Sequence, residues 1–370
     1  MKSILLPGMA LIAVCYAFAR FAFGLFLPSI SEEFGLDGAS SGVVQSVSYA
    51  AYATGLLSSS FMLRRAGLRR TLLSTALLTA AGLAGLALSP GSYGLAAALF
   101  AAGIGTGWVS PALGHLVGRT VPNERKDAIN ARINSGTSLG LVFSAPAAWL
   151  LAQNWRGAYA SFAAIALLVA LILWKTVPAD SDEHPGKTDL RGEIRKSGGL
   201  IPAALLTGAG SAVYWTYFMS RLQTEQGVSD AAAALYWIVI GAAGIAGGCS
   251  SLASRAFGLR RAYVVGVLCL AASIAAVALP FPVSSILSAP LFGASYIFVT
   301  GLFIIWATRR SPAGAAQISL AFLALGIGQF AGSFLSGSLI EFAGYDAAFL
   351  IFGLIASAAL TALPRSADER

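Results

Sequence analysis

From residue 71 to residue 118, and again from 262 to 308, the chain carries no Asp, Glu, Lys or Arg. Runs of that length cannot cover a water-facing surface, since about a quarter of the residues of a soluble domain are charged. Here only 11% are charged and 57% are hydrophobic. A bilayer is the solvent that remains. A spanning helix needs about 20 apolar residues, so each run holds two crossings. The hairpins fall at Ser89-Pro90-Gly91-Ser92 and at Pro280-Phe281-Pro282. The same reading predicts spans at 5–30, 42–63, 71–89, 93–118, 133–151 and 157–174. Six more follow at 199–220, 231–254, 263–279, 286–308, 317–340 and 347–363. The expected fold class is therefore an all-α membrane protein of twelve transmembrane helices. The stretch 177–198, rich in charge, Pro and Gly, reads as a solvated linker between an N-terminal bundle (1–176) and a C-terminal bundle (199–370).

The net charge of +8 follows this topology. If alternate gaps lie on one side, that side collects Arg64, Arg65, Arg69, Arg70, Arg119, Arg125, Lys126, Arg255, Arg260, Arg261, Arg309 and Arg310. The other side receives Arg156 and Arg221 with Glu32, Glu33, Asp37, Glu225, Asp230, Glu341 and Asp346. Positive loops stay in the cytoplasm, which predicts two cytoplasmic termini. Basicity here reports orientation, so no nucleic-acid partner is expected. The first span is too long for a cleavable signal and lacks a small-residue cleavage pattern. Cys15, Cys249 and Cys269 lie in apolar stretches without CxxC spacing and read as packing residues, not a disulfide or metal set.

The two halves repeat one another. Arg64-Arg65-Ala66-Gly67-Leu68-Arg69-Arg70 returns as Arg255-Ala256-Phe257-Gly258-Leu259-Arg260-Arg261. Arg119-Thr120-Val121-Pro122 is echoed by Arg309-Arg310-Ser311-Pro312, and Asn154-Trp155-Arg156-Gly157-Ala158-Tyr159 by Gly344-Tyr345-Asp346-Ala347-Ala348-Phe349. Six plus six spans, an arginine–glycine loop after the second span of each half and a charged central loop resemble the major facilitator superfamily. The run Ala19-Arg20-Phe21-Ala22-Phe23-Gly24-Leu25-Phe26-Leu27-Pro28 looks most like its bacterial YbfB/YjiJ branch.

That resemblance implies two pseudo-symmetric six-helix bundles rocking about a central site in a bacterial inner membrane. It also implies that Arg65, Gly67, Arg69 and Arg70, with Gly258, Arg260 and Arg261 in the second copy, form conformational loops on the cytoplasmic side. The sequence departs from the family pattern where an Asp is expected, since that position holds Arg64. Topology alone also accounts for these arginines. The fourth-span arginine of the family is replaced by Leu99, and the fifth-span antiporter pattern survives only as Ala145-Pro146 with Gly136 and Gly140.

Arg20 is the sharpest feature, being the one Lys, Arg, Asp or Glu well inside a span. A charge at that depth costs about 2.5 kcal/mol or more unless it faces a wet cavity or a partner. On an α-helix Tyr16, Arg20 and Phe23 share a face. A guanidinium forks onto carboxylate or phosphate oxygens, which makes an anionic ligand the functional reading and a snorkelling structural arginine the bland one. Gln45, Tyr49 and Tyr52 line one side of the second span. Trp108 stands in the fourth span, Tyr214 and Tyr217 in the seventh, and Tyr236 in the eighth. Polar-tipped aromatics suit a mixed apolar–polar solute, and they equally suit packing. His115 is a lone histidine near the basic side and reads as a packed interfacial residue.

No catalytic pair, metal cluster or cofactor motif is present. Gly103, Gly105 and Gly107 lie mid-span with no strand before them and no Lys-Ser/Thr after, unlike a phosphate loop. The expectation is a monomeric, non-enzymatic transporter moving a small organic anion or amphipathic metabolite, with no cofactor. An exporter of hydrophobic drugs is the alternative, and a transport-inactive sensor a third.

Overall fold

The computed structural model describes residues 2–150, 154–178, 190–280, 282–310, 314–365 and 368. The described residues are helical almost throughout, and none lies in a strand. The first span is continuous from Lys2–Ile12 through a π-helical segment, Ala13–Phe21, into Ala22–Phe34. Spans two to four are Gly38–Ala66, Leu68–Ala87 and Ser92–Thr120. The fifth is built from Asn123–Asn134 and Gly136–Leu150, and the sixth is Trp155–Thr176. A short linker helix, Leu190–Ser197, precedes the seventh span, Leu200–Ser220. The eighth comprises Asp230–Gly247 and Ser250–Phe257, the ninth Leu259–Ala275 and the tenth Val283–Arg310. The last two share Gly314–Ser357, broken at Gly344, where φ is 80°.

Eight helical stretches are long and apolar enough to cross a membrane, the stretch Ala316–Thr361 holding two crossings. The second and seventh spans fall outside that group because Ser, Thr, Tyr and Gly dilute them, and the fifth because it is split into two shorter helices. The second and seventh, with the first and eleventh, meet between the halves. The perimeter is apolar, with Leu168, Trp174, Leu268, Leu287 and Leu354 exposed, as lipid contact requires. Cys249 lies on this exposed surface and Cys269 is half-buried, so of the three cysteines only Cys15 is a core residue. Cys249 belongs to the short turn between the two pieces of the eighth span, which lifts it out of the packed face.

The repeat is visible in the backbone. Gly67 and Gly258 both take positive φ, 82° and 83°, where a side chain is disfavoured, and each turns one span into the next. At the acidic end each half ties its first span to its last by one ion pair of opposite polarity. Arg156 meets Glu33 at 2.7 Å in the first half, and Arg221 meets Asp346 at 2.6 Å in the second. Asp37 caps the second span by accepting from the Ser40 N–H, and that hydrogen bond holds its carboxyl below the usual aspartate range.

The halves touch through small residues. A Cβ on Gly24 would lie 1.9 Å from the Trp215 carbonyl oxygen, one on Gly42 2.5 Å from Ser333 O, and one on Gly337 2.3 Å from Gly38 O. Between the fifth and eighth spans, a Cβ on Gly241 would lie 2.9 Å from Ser138 O. Small residues permit such backbone approach in lipid, where no hydrophobic force draws helices together.

At the basic end, chain segments from outside the spans dock onto the second half. Gln317 Nε2 donates to the Glu193 carbonyl and to Glu193 Oε2, both at 2.8 Å, fixing the linker helix. Arg310 Nη1 donates to Lys196 O at 2.7 Å. Arg310 Nη2 reaches Asp368 Oδ2 at 2.9 Å, beside Trp306 Nε1 at 3.0 Å and the Arg365 N–H at 2.8 Å.

Candidate functional site

Arg20 stands at the end of the π-helical segment, 2% exposed. A π-helix bonds i to i+5 and is wider than an α-helix, so the residues behind Arg20 do not keep the 3.6-residue register. Tyr16 remains beside it. Phe23 is fully buried further along the first span, and the ring the first span adds next to the guanidinium is that of Phe21. Four rings surround the guanidinium carbon. Tyr52 lies at 3.7 Å from centroid to carbon, Phe21 at 5.4 Å, Tyr49 at 5.5 Å and Tyr16 at 5.6 Å. Cation–π contact of this kind strengthens in desolvated surroundings.

The cage is held from behind. Gln45 Nε2 donates to the Arg20 carbonyl at 3.2 Å, and Tyr16 Oη and Ser110 Oγ share a hydrogen bond at 2.7 Å. From the other half, Gln329 Oε1 accepts from Arg20 Nη2, while Gln329 Nε2 donates to Tyr296 Oη at 3.2 Å. Phe21 stacks on Trp215 with centroids 4.0 Å apart. Trp215 meets Trp237 edge-on at 6.0 Å, and Trp237 Nε1 donates back across the seam to Ser144 Oγ at 3.0 Å. The site is thus assembled from both halves.

Its polar groups are incompletely matched. Among the described residues no Asp or Glu forms an ion pair with Arg20. Arg20 Nε, Trp215 Nε1, Gln45 Oε1 and the hydroxyls of Tyr49 and Tyr52 are buried without a well-formed hydrogen bond. Buried polar groups are paired in the great majority of cases, so this cluster of unsatisfied donors and acceptors around one cation marks a place suited to a polar, anionic guest.

The other residues expected from the sequence are dispersed. Trp108 donates to Ser58 Oγ at 2.9 Å within the first half. Tyr214 is stacked between Phe218 and Phe292, at 4.4 and 3.6 Å, and accepts from Ser288 Oγ at 2.9 Å. It belongs to the packed interior of the second half. Tyr217 donates to Gly38 O at 2.6 Å and closes the seam at the acidic end. Tyr236 is half-buried, and its neighbour Trp237 is the residue that faces the seam. Of the loop residues, Arg69 Nη2 donates to Trp174 O in the last turn of the sixth span, and Arg65 lies 5.9 Å from the Phe61 ring. Arg70, Arg260 and Arg261 are exposed at the basic end.

Phe21, Trp215, Trp237, Tyr296 and Gln329 were not singled out from the sequence. Gln329 had a signal, a carboxamide inside the apolar run Leu323-Ala324-Leu325-Gly326-Ile327-Gly328-Gln329-Phe330. The aromatic residues had none that separated them from packing rings.

The family model described as Major Facilitator Superfamily matches residues 9–322. The Pseudomonas aeruginosa protein named Transcription regulatory protein OpdE is 32% identical over 259 residues, which is 65% of this chain and 63% of that protein, under two thirds of its length. Among solved structures, a mutant form of the nucleoside transporter NupG superposes with a TM-score of 0.78 at 13% identity, covering 97% of this chain and 98% of that one. The xylose transporter XylE from E. coli, in a partially occluded inward-open conformation, gives 0.78 at 15% identity over 97% and 96%. A D-xylose-proton symporter gives 0.76 at 16% identity over 98% of both chains. At these identities the likeness is one of fold.

Proposed function

Because the chain belongs to the Major Facilitator Superfamily, a family of multi-pass membrane transporters, we propose that it carries a small organic anion bound at Arg20. One observation supports this reading above the others: a guanidinium 2% exposed, at the seam of the two halves, with no carboxylate partner among the described residues. Burying an uncompensated charge is costly, and a ligand carboxylate supplies both the missing charge and acceptors for the vacant N–H groups. Tyr16, Gln45, Tyr49 and Tyr52 from the first half wall the ligand, with Phe21 in the place expected of Phe23. Trp215, Tyr296 and Gln329 face it from the second. Trp108, Tyr214, Tyr217 and Tyr236 support the helices around it. The halves, divided within 177–198, rock about this site. The charge distribution of the loops supports cytoplasmic termini in a bacterial inner membrane, and the first-span run supports the YbfB/YjiJ branch.

The test is a thermal-shift screen of the purified protein against organic acids of about two to eight carbons and their neutral amides. Stabilisation by acids and not amides, lost in Arg20→Gln, is the expected result. Equal shifts for acids and amides, or shifts that persist in Arg20→Gln, would overturn the assignment and favour a carrier of neutral hydrophobic compounds. The regulatory name of the Pseudomonas relative supports a second reading, in which occupancy of the site is itself the signal. Proteoliposome uptake of an acid that binds separates the two, since a sensor binds without flux.

A further inference from the structure

We infer that Gln329 is a resident substitute for the ligand's carboxylate, and that an arriving anion takes its place on Arg20 and then bridges the two halves. The inference rests on the anion reading of Arg20 and adds the residue that decides between charged and neutral guests. Gln329 is fully buried in the eleventh span, and its amide oxygen accepts from Arg20 Nη2 across the seam. Its amide nitrogen is held by Tyr296 Oη at 3.2 Å. An amide oxygen offers one uncharged acceptor where a carboxylate offers two charged ones, and it leaves Arg20 Nε without a partner.

Charge-assisted hydrogen bonds are about twice as strong as neutral ones. A carboxylate therefore displaces the amide oxygen, whereas a neutral amide or alcohol gains nothing over the contact already there. Once displaced, the Gln329 carboxamide can donate through Nε2 to the ligand's second oxygen. The direct Arg20–Gln329 contact is replaced by a contact through the ligand, so occupancy changes what joins the first half to the second.

Gln329→Glu and Gln329→Ala test this in the purified full-length protein, with sodium benzoate and sodium gluconate as probes and benzamide and glucose as neutral controls. Gln329→Glu supplies the carboxylate from within. The expected result is a ligand-free protein that melts higher than wild type and binds either acid at least about tenfold more weakly. Gln329→Ala should melt lower and keep a response to acids. A Gln329→Glu protein that melts no higher than Gln329→Ala, or that answers the acids as wild type does, would overturn the inference while leaving Arg20 as an anion site. A wild-type protein indifferent to both acids would instead overturn the anion reading. The ligand-free comparison still decides the Gln329 assignment, because it requires no probe.

Discussion

Gly24 of the first half lies directly against the carbonyl oxygen of Trp215 in the second, so close that a Cβ at position 24 would stand 1.9 Å from it. The obstacle is backbone, which cannot rotate away, and Trp215 is itself stacked on Phe21. Gly24→Ala must therefore push the halves apart near the acidic end. Ser41 is 2% exposed at the acidic end of the same seam, beside Gly42, where a Cβ would lie 2.5 Å from Ser333 O. In a background without other reactive thiols, Ser41→Cys should react slowly with a membrane-impermeant maleimide. It should react several-fold faster when Gly24→Ala is added.

The fork of Arg20 matters as well as its charge. Lysine keeps the charge and loses the planar donors and the stack on Tyr52 at 3.7 Å. Arg20→Lys should weaken binding of a carboxylate by about 1.5–3 kcal/mol, the range for hydrogen bonds to charged groups. Isothermal titration of wild type and variant with the same acid measures the difference.

Trp215 offers an indole N–H that is buried and unbonded. Trp215→Phe keeps an aromatic surface for Phe21 and removes that donor. The ligand-free protein should lose no more than about 1 kcal/mol, since removing an unsatisfied group offsets part of the lost packing. Affinity for an acid that binds at Arg20 should fall, and a variant with unchanged affinity would show that the N–H is not a ligand contact.

Asp368 binds Arg310 and Trp306 of the tenth span. Burial pushes its carboxyl up, but the hydrogen bonds from Arg310, the Arg365 N–H and Trp306 together hold it below its ordinary value of 3.8. A carboxylate lowered in the folded state contributes stability above its unfolded pKa and loses it as pH falls through the folded one. Asp368→Asn should cost about 1–2 kcal/mol near neutral pH. The difference in melting temperature should stay constant down to about pH 5 and shrink below about pH 4. A difference that persists into acid would assign the effect to packing.

The twelve spans, the repeat and Arg20 were legible because each rests on a rule that context does not override. Uncharged runs longer than a bilayer is thick admit one reading, and a lone intramembrane guanidinium must be given surroundings. Phe23 and Phe21 show where the reading gave out. A register of about 3.6 residues per turn puts Phe23 beside Arg20, and the π-helical stretch Ala13–Phe21 changes that register without any proline or glycine to announce it. Tyr214 and Trp215 show a second limit. Both are buried aromatic residues on one span, yet one is stacked inside its own half and the other faces the seam. That difference lies in helix rotation, which hydropathy does not encode.

The widened coil of the first span also constrains how this gene can change. An α-helix turns by about 100° per residue, more than the wider coil does, so a substitution that tightened residues 13–19 without removing one would swivel everything downstream. Arg20 would then turn away from Gln329 and Tyr52, although no residue at the site itself had changed. The side chains of this stretch are thus constrained by the coil they keep open as well as by what they touch.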